Sequence, residues 1–481
     1  MTAPVSIDSA TQRPATPAAA PYDPNYDPLV TRTNPGSSQE YAPTYWVATA
    51  GPAPEDDGPV TADMDVDVAI IGSGFTGLAC AMVLGEEYGI KATVLEANRT
   101  AWGCTSRNGG QGQNASGRLK RSQWIRKWGK ETALRLDAEL RESFDRFRVL
   151  TSEIDCDPQP GGHLYMAHRA KKLEGMEHEA KILREVFGYD TQIFSAEQLR
   201  RDYVIDAEAF GAMHEPDGIG IHPMKLARGY AERARAAGAT VHPSSPVIGI
   251  EVHGDVYHLR TPGGVVKARA VGIATGGYTG NGLHRSLDSK IMPILSNSLV
   301  TRPLTAAELE ATGFKTHQVI TDSRTLRFYY RLLPDNRLQM GSRASITGRD
   351  ADNPKHLKVL TDGLHRKFPA LTGIEIEYSW WGWVDVTHDA MPRIFQPNPR
   401  ESLYYAVGYG GNGVSFSQHA GRRLADRIAG RQLPVFDLPI YSTPLEYPNV
   451  FNLVRSRAFA PFRRIGQRGL YGWYYLRDEK L

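Results

Sequence analysis

The sequence contains few cysteines, and their positions suggest neither a covalent nor a metal framework. Only Cys80, Cys104 and Cys156 occur in 481 residues, and no two of them form a Cys-x-x-Cys pair. A disulfide scaffold and a cysteine-based zinc site are therefore not supported, and we predict no metal site. A chain of this kind is expected in a reducing cytoplasm.

The sequence also lacks a long apolar run and a strong charge of either sign. No run approaches the roughly 18 apolar residues that predict a membrane-spanning helix, and the mean hydropathy is -0.39. The first residues, MTAPVSIDSATQRP, have neither the basic start nor the apolar stretch of a secretory signal. With 56 Lys and Arg against 53 Asp and Glu, the net charge of +3 gives no reason to expect nucleic-acid partners.

The N-terminal segment is rich in proline and poor in basic residues. Residues 1–65 hold eleven of the 31 prolines, two arginines and no lysine. Such a segment buries too little apolar surface to offset its chain entropy. We therefore predict that residues 1–64 form an extended arm, with order beginning at Asp65. Tyr41, Tyr45 and Trp46 are expected to anchor this arm on the folded body.

The C-terminal segment, residues 436–481, is basic and aromatic. From Arg455 onward it contains six arginines and one lysine, interleaved with Phe, Trp and Tyr. We predict a helix whose aromatic side chains pack on the protein while its arginines face solvent. A patch that binds a membrane or nucleic acid is the alternative interpretation.

A glycine-rich turn follows the first strongly apolar segment. The run from Val66 to Ile71 predicts a buried strand, and the turn Gly72-Ser-Gly74-Phe-Thr-Gly77 leads from it into a helical stretch. Gly72 permits a tight turn, Gly74 lets the backbone approach a pyrophosphate, and Gly77 allows close packing of helix on strand. Glu96, at the end of the next strand, can accept hydrogen bonds from ribose hydroxyls. The sequence predicts a dinucleotide site here.

Three further glycine segments occur later in the chain. Gly408-Tyr-Gly410-Gly-Asn-Gly413 lies between a strand and a helix, but the region after it is too short and proline-rich for a second nucleotide domain. We interpret it as a helix N-terminus directed at a negatively charged ring. Segment 106–111, SRNGGQ, suggests a backbone that passes a flat cofactor, although an ordinary loop is the alternative. Segment 270–277, AVGIATGG, predicts a buried strand that ends in two glycines.

Together these segments resemble the D-amino-acid-oxidase-like family of FAD-dependent amine oxidoreductases, and within it the branch that acts on gamma-glutamylated polyamines. The resemblance covers residues 41–481 in order and is carried by the pieces DVAIIGSGFTGLACA, TVLEA, SRNGGQ, VGIATGGYTG, VDVTHDAMPRI and YAVGYGGNGVSFSQHAGRRLAD.

The resemblance implies an α/β fold with two domains. One is a discontinuous, Rossmann-like FAD-binding domain, from residues 65–120, 215–290 and 385–435. The other is a mixed-sheet α+β substrate domain, from residues 121–214 and 291–384. FAD is expected to be bound non-covalently. No cysteine follows Cys156, which excludes a C-terminal flavin attachment, and Cys104 is expected to be an ordinary thiol.

The resemblance also implies which residues contact FAD. The pyrophosphate and ribose contacts fall on the first turn and strand end, the isoalloxazine contacts on the SRNGGQ segment, the adenine contact on one valine, and the remaining contacts on the two later glycine segments. In order, these residues are Gly72, Gly74, Phe75, Thr76, Gly77, Glu96, Ala97; Ser106, Arg107, Asn108, Gly109, Gly110, Gln111; Val247; and Gly276, Gly411, Asn412, Gly413, Val414.

Aromatic residues offer candidate walls for a substrate pocket. Of the candidates Tyr329, Tyr330, Trp380, Trp381 and Trp383, we select Tyr330 and Trp381, because alternate strand residues share a face. Core packing is the alternative role for all five.

A single arginine offers a candidate clamp for the substrate. Arg302 departs from the acidic or small residue that the family often has at this position. We expect its guanidinium to hold a substrate carboxylate. A surface pairing with Glu308 is the alternative.

The predicted activity is FAD-dependent oxidation of a primary or secondary amine. The product imine hydrolyses to an aldehyde, and O2 or another acceptor reoxidises the flavin, with O2 giving H2O2. An oxidase or dehydrogenase for D-amino acids or sarcosine is one alternative, and a flavoprotein-like binding scaffold without turnover is another. The partners expected are a small-molecule amine and an electron acceptor, and an oligomer is compatible with the sequence.

Overall fold

A computed structural model of the chain describes residues 26–28, 39–280, 282–287, 290–444 and 460–480. The strands of these residues are β1 (Met64–Ile71), β2 (Ala92–Leu95), β3 (Gln111–Gln113), β4 (Gln159–Pro160), β5 (His163–Met166), β6 (Gln192–Ser195), β7 (Gly211–Glu215), β8 (Gly218–Gly220), β9 (Thr240–His242), β10 (Gly249–His253), β11 (Val256–Thr261), β12 (Gly264–Ile273), β13 (Ile291–Pro303), β14 (Val319–Asp322), β15 (Tyr329–Leu332), β16 (Arg337–Ser342), β17 (Ile376–Thr387), β18 (Arg393–Phe395) and β19 (Leu403–Val407).

Helices cover both large sheets of the described residues. They are α1 (Tyr45–Thr49), α2 (Phe75–Tyr88), α3 (Arg121–Trp128), α4 (Lys130–Glu153), α5 (Ala170–Phe187), α6 (Ala196–Asp202), α7 (Pro223–Ala236), α8 (Ala306–Thr312), α9 (Pro354–Lys367), α10 (Gly413–Ile428) and α11 (Ala460–Glu479).

The first large sheet contains β1, which leads into the first glycine turn, and the strands parallel to β1. Its strand order is β10-β11-β12-β1-β2-β9, with β19 paired to β12 and β18 to β19. β1 runs parallel to β2 and to β12, and Ile71, Leu95 and Ile273 lie side by side at their carboxyl ends. In sheets of this kind ligands bind beyond the carboxyl ends of the strands. The register therefore brings the first turn, Glu96 and the 274–277 segment to one edge.

The second large sheet is mixed. Its order is β17-β13-β16-β15-β14-β5-β7-β6, in which β14 and β5 are parallel and the other pairs antiparallel. A small third sheet, β3-β8-β4, contains the end of the SRNGGQ segment. The predicted α/β class, with a Rossmann-like sheet beside a mixed sheet, is confirmed. We propose that the two large sheets mark the two domains with the sequence limits given above.

The N-terminal segment differs from the extended arm that its composition predicts. Residues 39–64 are placed against the body and include helix α1, so the expectation that order begins at Asp65 is wrong. Tyr45 and Trp46 are buried in the main core cluster, and the Thr44 hydroxyl caps α1 by accepting from the Val47 amide. The buried aromatic side chains supply the apolar surface area that the proline-rich composition was expected to lack.

Helix α11 forms as predicted, and Arg468 and Arg477 are exposed, but other side chains of the helix have the opposite of their predicted orientation. Arg464, expected in solvent, is buried, and its guanidinium donates to Asp27 and to the Pro293 carbonyl. The side chains of Ile465, Trp473 and, in the same helix, further apolar residues are exposed instead. The reason is that the surface beneath the helix presents carboxylate and carbonyl acceptors, which favour a polar helix face. No helix of the described residues is long and apolar enough to cross a membrane.

The close packing of α2 on β1 gives a stability test. A Cβ on Gly77 would lie 1.9 Å from the carbonyl oxygen of Gly72, so Gly77→Ala must displace backbone. We expect it to lower stability by about 1–3 kcal/mol and to reduce flavin occupancy. Gly175→Ala, in the middle of α5 with no atom near its Cβ, should be neutral or stabilising by about 0.5–1 kcal/mol. Thermal unfolding of both variants measures the difference, and equal stability of Gly77→Ala and wild type would contradict this packing.

Candidate functional site

A deep cavity opens where β1, β2 and β12 end. It is bordered by the first glycine turn, the end of β2 and the 274–278 segment, and it continues to the N-terminus of α10. The space between its walls is about 1130 Å³, including the open mouth. We call it the dinucleotide cavity.

Gly72 is required at the turn for a steric reason. Its φ is +103°, and a Cβ would lie 2.7 Å from the Ala274 carbonyl oxygen. Its amide donates to the Leu95 carbonyl, and the Ala274 amide donates to Ile71. The turn is therefore held against both neighbouring strands, and the N-terminus of α2 is directed at the cavity.

Glu96 is buried at the cavity wall and also holds the turn. Its Oε2 accepts from the Ser73 amide at 3.0 Å and the Ser73 hydroxyl at 2.7 Å, and its Oε1 accepts from the Asn98 amide at 3.1 Å. Burial raises the pKa of this carboxyl, while the three donors favour its charged form. Glu96 therefore supports the turn, and we propose that it also presents an acceptor to a ribose.

The loop after β2 is fixed by hydrogen bonds to its backbone. The Trp46 indole donates to the Asn108 carbonyl, the Trp380 indole to the Arg107 carbonyl, and the Thr44 hydroxyl to the Ser106 carbonyl. The N-terminal segment and β17 therefore hold this loop from two sides. The packed N-terminal residues thus support the site.

A second cavity adjoins the first. It shares with it Cys104, Asn108, Val384, Gly411 and Val414, and it extends toward the mixed sheet. We call it the substrate cavity. Its other lining residues are Arg107, Gly109, Gln111, Gln113, Arg118, Ser296, Thr321, Arg327, Tyr329, Arg343, Gly382, Gly410 and Asn412.

The structure brings most of the sequence-predicted cofactor residues together. The dinucleotide cavity is lined by Gly72, Gly74, Phe75, Thr76, Glu96, Ala97, Asn108, Val247, Gly276, Gly411, Gly413 and Val414. Arg107, Gly109, Gln111 and Asn412 line the substrate cavity.

Three of the predicted cofactor residues line neither cavity and shape the backbone instead. Gly77 packs on Gly72, and the Ser106 hydroxyl donates to the Trp102 carbonyl. Gly110, with a φ of +64°, lies so close to Ile221 and Arg331 that it has no room for a Cβ.

The two aromatic residues selected as pocket walls do not line the substrate cavity. Tyr330 is fully buried in the core of the mixed sheet, where its hydroxyl donates to Asp206. Its neighbour Tyr329 lines the cavity, with its hydroxyl 3.1 Å from the Ser296 hydroxyl. Trp381 faces away in the same manner, and its indole donates to Asp352. Alternate residues do share a face in each strand, but Tyr330 and Trp381 lie on the face that is turned away from the substrate cavity.

Arg302 is not at the substrate cavity either. Both of its terminal nitrogens donate to Glu308, at 2.8 and 2.7 Å, and about a third of the side chain is exposed. Glu308 belongs to the capping box of α8, so this pair stabilises a surface helix. The expected substrate clamp is therefore wrong, and the surface pairing is correct.

The sequence reasoning missed residues that the fold brings in from distant segments. Among the residues without a predicted cofactor contact that line the dinucleotide cavity are Trp102, Cys104, Tyr278, Asp385 and Tyr409. Tyr409 lies within the second glycine segment, and Tyr278 and Asp385 lie within pieces that carry the family resemblance, so their positions gave a signal that was not used. Burial raises the pKa of Cys104 to about 12, so its thiol stays protonated. Asp385 accepts from the Gly408 amide and thereby fixes the second glycine segment.

Buried polar atoms without protein partners agree with a bound flavin. The Ser417 hydroxyl in the dinucleotide cavity and the side-chain amide of Gln111 in the substrate cavity have no hydrogen-bond partner among the described residues. A buried group of this kind calls for a ligand or water partner. Within the described ranges no cluster of three or more His, Cys, Asp or Glu residues could hold a metal ion.

Comparisons with known proteins agree with this geometry. The DAO family profile, described as FAD dependent oxidoreductase, matches residues 67–427. The gamma-glutamylputrescine oxidoreductase of Escherichia coli (strain K12) is 32% identical over 415 residues, covering 84% of this chain and 94% of that protein. A glycine oxidase of Bacillus subtilis (strain 168) is 23% identical over 54% of this chain and 69% of its own length. The crystal structure of glycine oxidase from Geobacillus kaustophilus shares the fold, with a TM-score of 0.68 at 22% identity, covering 80% of this chain and 100% of that one.

FAD is the cofactor that these residues fit, and Glu96 gives a test of its position. We expect Glu96→Gln to weaken FAD binding about tenfold or more, because the charge-assisted acceptor at the ribose is lost. Ser73→Ala is the matched control, since it removes a hydrogen bond to the same carboxylate without touching its charge. Fluorescence titration of apoprotein with FAD measures both affinities. Equal losses in the two variants would assign Glu96 to the turn alone, and an unchanged affinity in Glu96→Gln would contradict the ribose contact.

Proposed function

The chain belongs to the DAO family of FAD-dependent oxidoreductases, and from that premise we propose that it oxidises the C–N bond of an amine carrying an acidic group. The observation that supports this most directly is the junction of the two cavities. Cys104, Asn108, Val384, Gly411 and Val414 border both of them. A flavin ring held at this border would have an amine on its substrate side.

When bound, FAD accepts the two electrons removed from the amine and passes them to the acceptor. The substrate loses two hydrogens and becomes an imine, and water converts the imine to an aldehyde and ammonia or a smaller amine. With O2 as the acceptor, one H2O2 forms for each C–N bond oxidised.

The chain's own residues favour the reactive protonation state of the amine. Arg107, Arg118, Arg327 and Arg343 line the substrate cavity, and its other lining residues are uncharged. Positive neighbours and burial both lower the pKa of an amine, because each disfavours its ammonium form. An amine entering the cavity would therefore lose its proton, which frees the nitrogen lone pair for oxidation.

The loop geometry supplies the orientation. Asn108 holds its own loop closed, because its side-chain amide donates to the Cys104 and Thr105 carbonyls and its Oδ1 accepts from Gly110. Tyr329 lies across from this loop, close enough to Gly109 to exclude a Cβ there. Gly109 and Tyr329 both line the substrate cavity, so the loop and β15 form two of the walls against which the amine would be oriented.

We propose a gamma-glutamylated diamine as the substrate class, in keeping with the name of the Escherichia coli relative. Such a compound carries a carboxylate far from its reacting amine. The proposed setting is cytoplasmic polyamine degradation, with O2 as acceptor. A second candidate is an amino acid such as glycine or sarcosine, which the arginines favour because they could hold a carboxylate on the reacting carbon.

An anaerobic substrate panel tests this function. Gamma-glutamylputrescine should bleach the flavin absorbance within seconds, whereas glycine, sarcosine and NADH should not, and readmitted air should yield about one H2O2 per amine consumed. Free putrescine is the matched control without a carboxylate. Fast bleaching by NADH would contradict an amine as the electron donor, and bleaching by glycine or sarcosine alone would favour the second candidate.

A further inference from the structure

Three arginines converge on the end of the substrate cavity that lies under helix α11. Arg118, Arg327 and Arg343 all line the cavity, and no carboxylate of the described residues lies within salt-bridge distance of any of them. Their protein partners are neutral and distant. Arg118 and Arg343 donate to the Gly410 carbonyl at 3.4 and 3.3 Å, and Arg118 also donates to the Thr325 carbonyl at 3.4 Å.

The electrostatic cost of this arrangement is visible in the arginines themselves. Burial, together with the charges of Arg343 and Arg327, lowers the pKa of Arg118 well below its usual range. Burial and Arg327 also lower the pKa of Arg343. The buried Arg324 is different, because it contacts Asp322, Glu208 and Glu479. A cluster of three partly buried cations without a carboxylate partner destabilises the fold and therefore needs a functional explanation.

Helix α11 adds an uncharged group to the same place. The Tyr471 hydroxyl is buried without a hydrogen-bond partner, and it is close enough to Arg118 and Arg343 to act on them electrostatically. The helix is held there by Asp478, which accepts from the Thr325 amide, and by Glu479, which contacts Arg324. Tyr471 does not itself line the substrate cavity, so a ligand in this cavity would meet the three guanidinium groups.

We infer that Arg118, Arg327 and Arg343 bind the far end of the amine substrate, and that this end carries a carboxylate. The inference rests on the proposed function for the identity of the other end, which would lie at the loop shared by the two cavities. Guanidinium groups bind carboxylates in paired hydrogen bonds, and the bound carboxylate supplies the missing counter-charge.

Net charge sets the selectivity. A free carboxylate is attracted by all three arginines, whereas an ammonium group beside that carboxylate is repelled by the same charges. The site should therefore favour a carboxylate alone over the zwitterionic end of a gamma-glutamyl group. It should disfavour a neutral end of the same length more strongly still.

Three putrescine derivatives, each acylated on one nitrogen, separate the effect of the carboxylate from the effect of the adjacent ammonium group. The glutaryl derivative ends in a carboxylate, the gamma-glutamyl derivative has the same carboxylate with an adjacent ammonium, and the pentanoyl derivative is neutral at equal chain length. We expect kcat/KM to fall in that order, with the glutaryl compound at least about tenfold above the pentanoyl compound. In Arg118→Gln and Arg343→Gln this ratio should shrink toward one, whereas Arg302→Gln, which loses a surface arginine, should keep it.

A binding measurement makes the test independent of turnover. Glutarate, which cannot be oxidised, should perturb the flavin spectrum of the holoenzyme saturably, and its Kd should rise about tenfold or more in Arg118→Gln and Arg343→Gln but not in Arg302→Gln. Inorganic phosphate is the comparison anion. The two cavity variants should also keep or exceed the wild-type Tm without ligand, because each removes a partly buried cation that has no carboxylate partner among the described residues, and folded variants are thereby expected.

The outcomes separate this inference from the proposed function. If all three amines bleach the flavin at equal rates and glutarate does not bind, the anion site is overturned and amine oxidation stands. If none of the amines reacts but glutarate binds and the arginine variants weaken it, the anion site stands and the proposed substrate fails. Phosphate binding tighter than glutarate would overturn the assignment to a carboxylate.

Discussion

The backbone contact between the first strand–helix turn and its neighbours is the constraint on which the rest of the site depends. Gly77 lies on Gly72, and Gly72 lies on Ala274, with no room for a side chain at either contact. These contacts bring the carboxyl ends of β1, β2 and β12 and the N-terminus of α2 to a single edge. Without that convergence Glu96, Val247 and the second glycine segment would not face one cavity.

Buried charge is distributed unevenly, and the distribution separates support from function. Around the mixed sheet, Lys367 and Arg324 are surrounded by Asp206, Glu208 and Asp322, which compensate their charges. Arg118, Arg327 and Arg343 of the substrate cavity have no carboxylate within salt-bridge distance among the described residues. Cations that are left without a counter-ion at a cavity reduce stability where they provide binding.

The sequence predicted features that depend on local pattern and failed on those that depend on facing. The glycine turn, Glu96 and the α/β class follow from residue order, because strand, turn and helix are consecutive. Tyr330 and Trp381 were misassigned because alternation gives two faces but does not say which one meets the cofactor. Arg302 was misassigned because its guanidinium pairs with the nearby Glu308 at the surface and not with a group in the cavity. Arg118 lies far along the chain from Arg327 and Arg343, so only the tertiary structure shows that it meets them.

We propose that the two adjoining cavities form one site for the flavin and the substrate. A crystal structure of the holoenzyme with glutarate tests it most directly. We expect the FAD pyrophosphate to lie at the N-terminus of α2 and the isoalloxazine to lie between Asn108 and Gly411. The glutarate carboxylate should contact Arg118 and Arg343. A flavin ring bound away from the shared border, or glutarate bound at Arg302 instead of the arginine cluster, would contradict it.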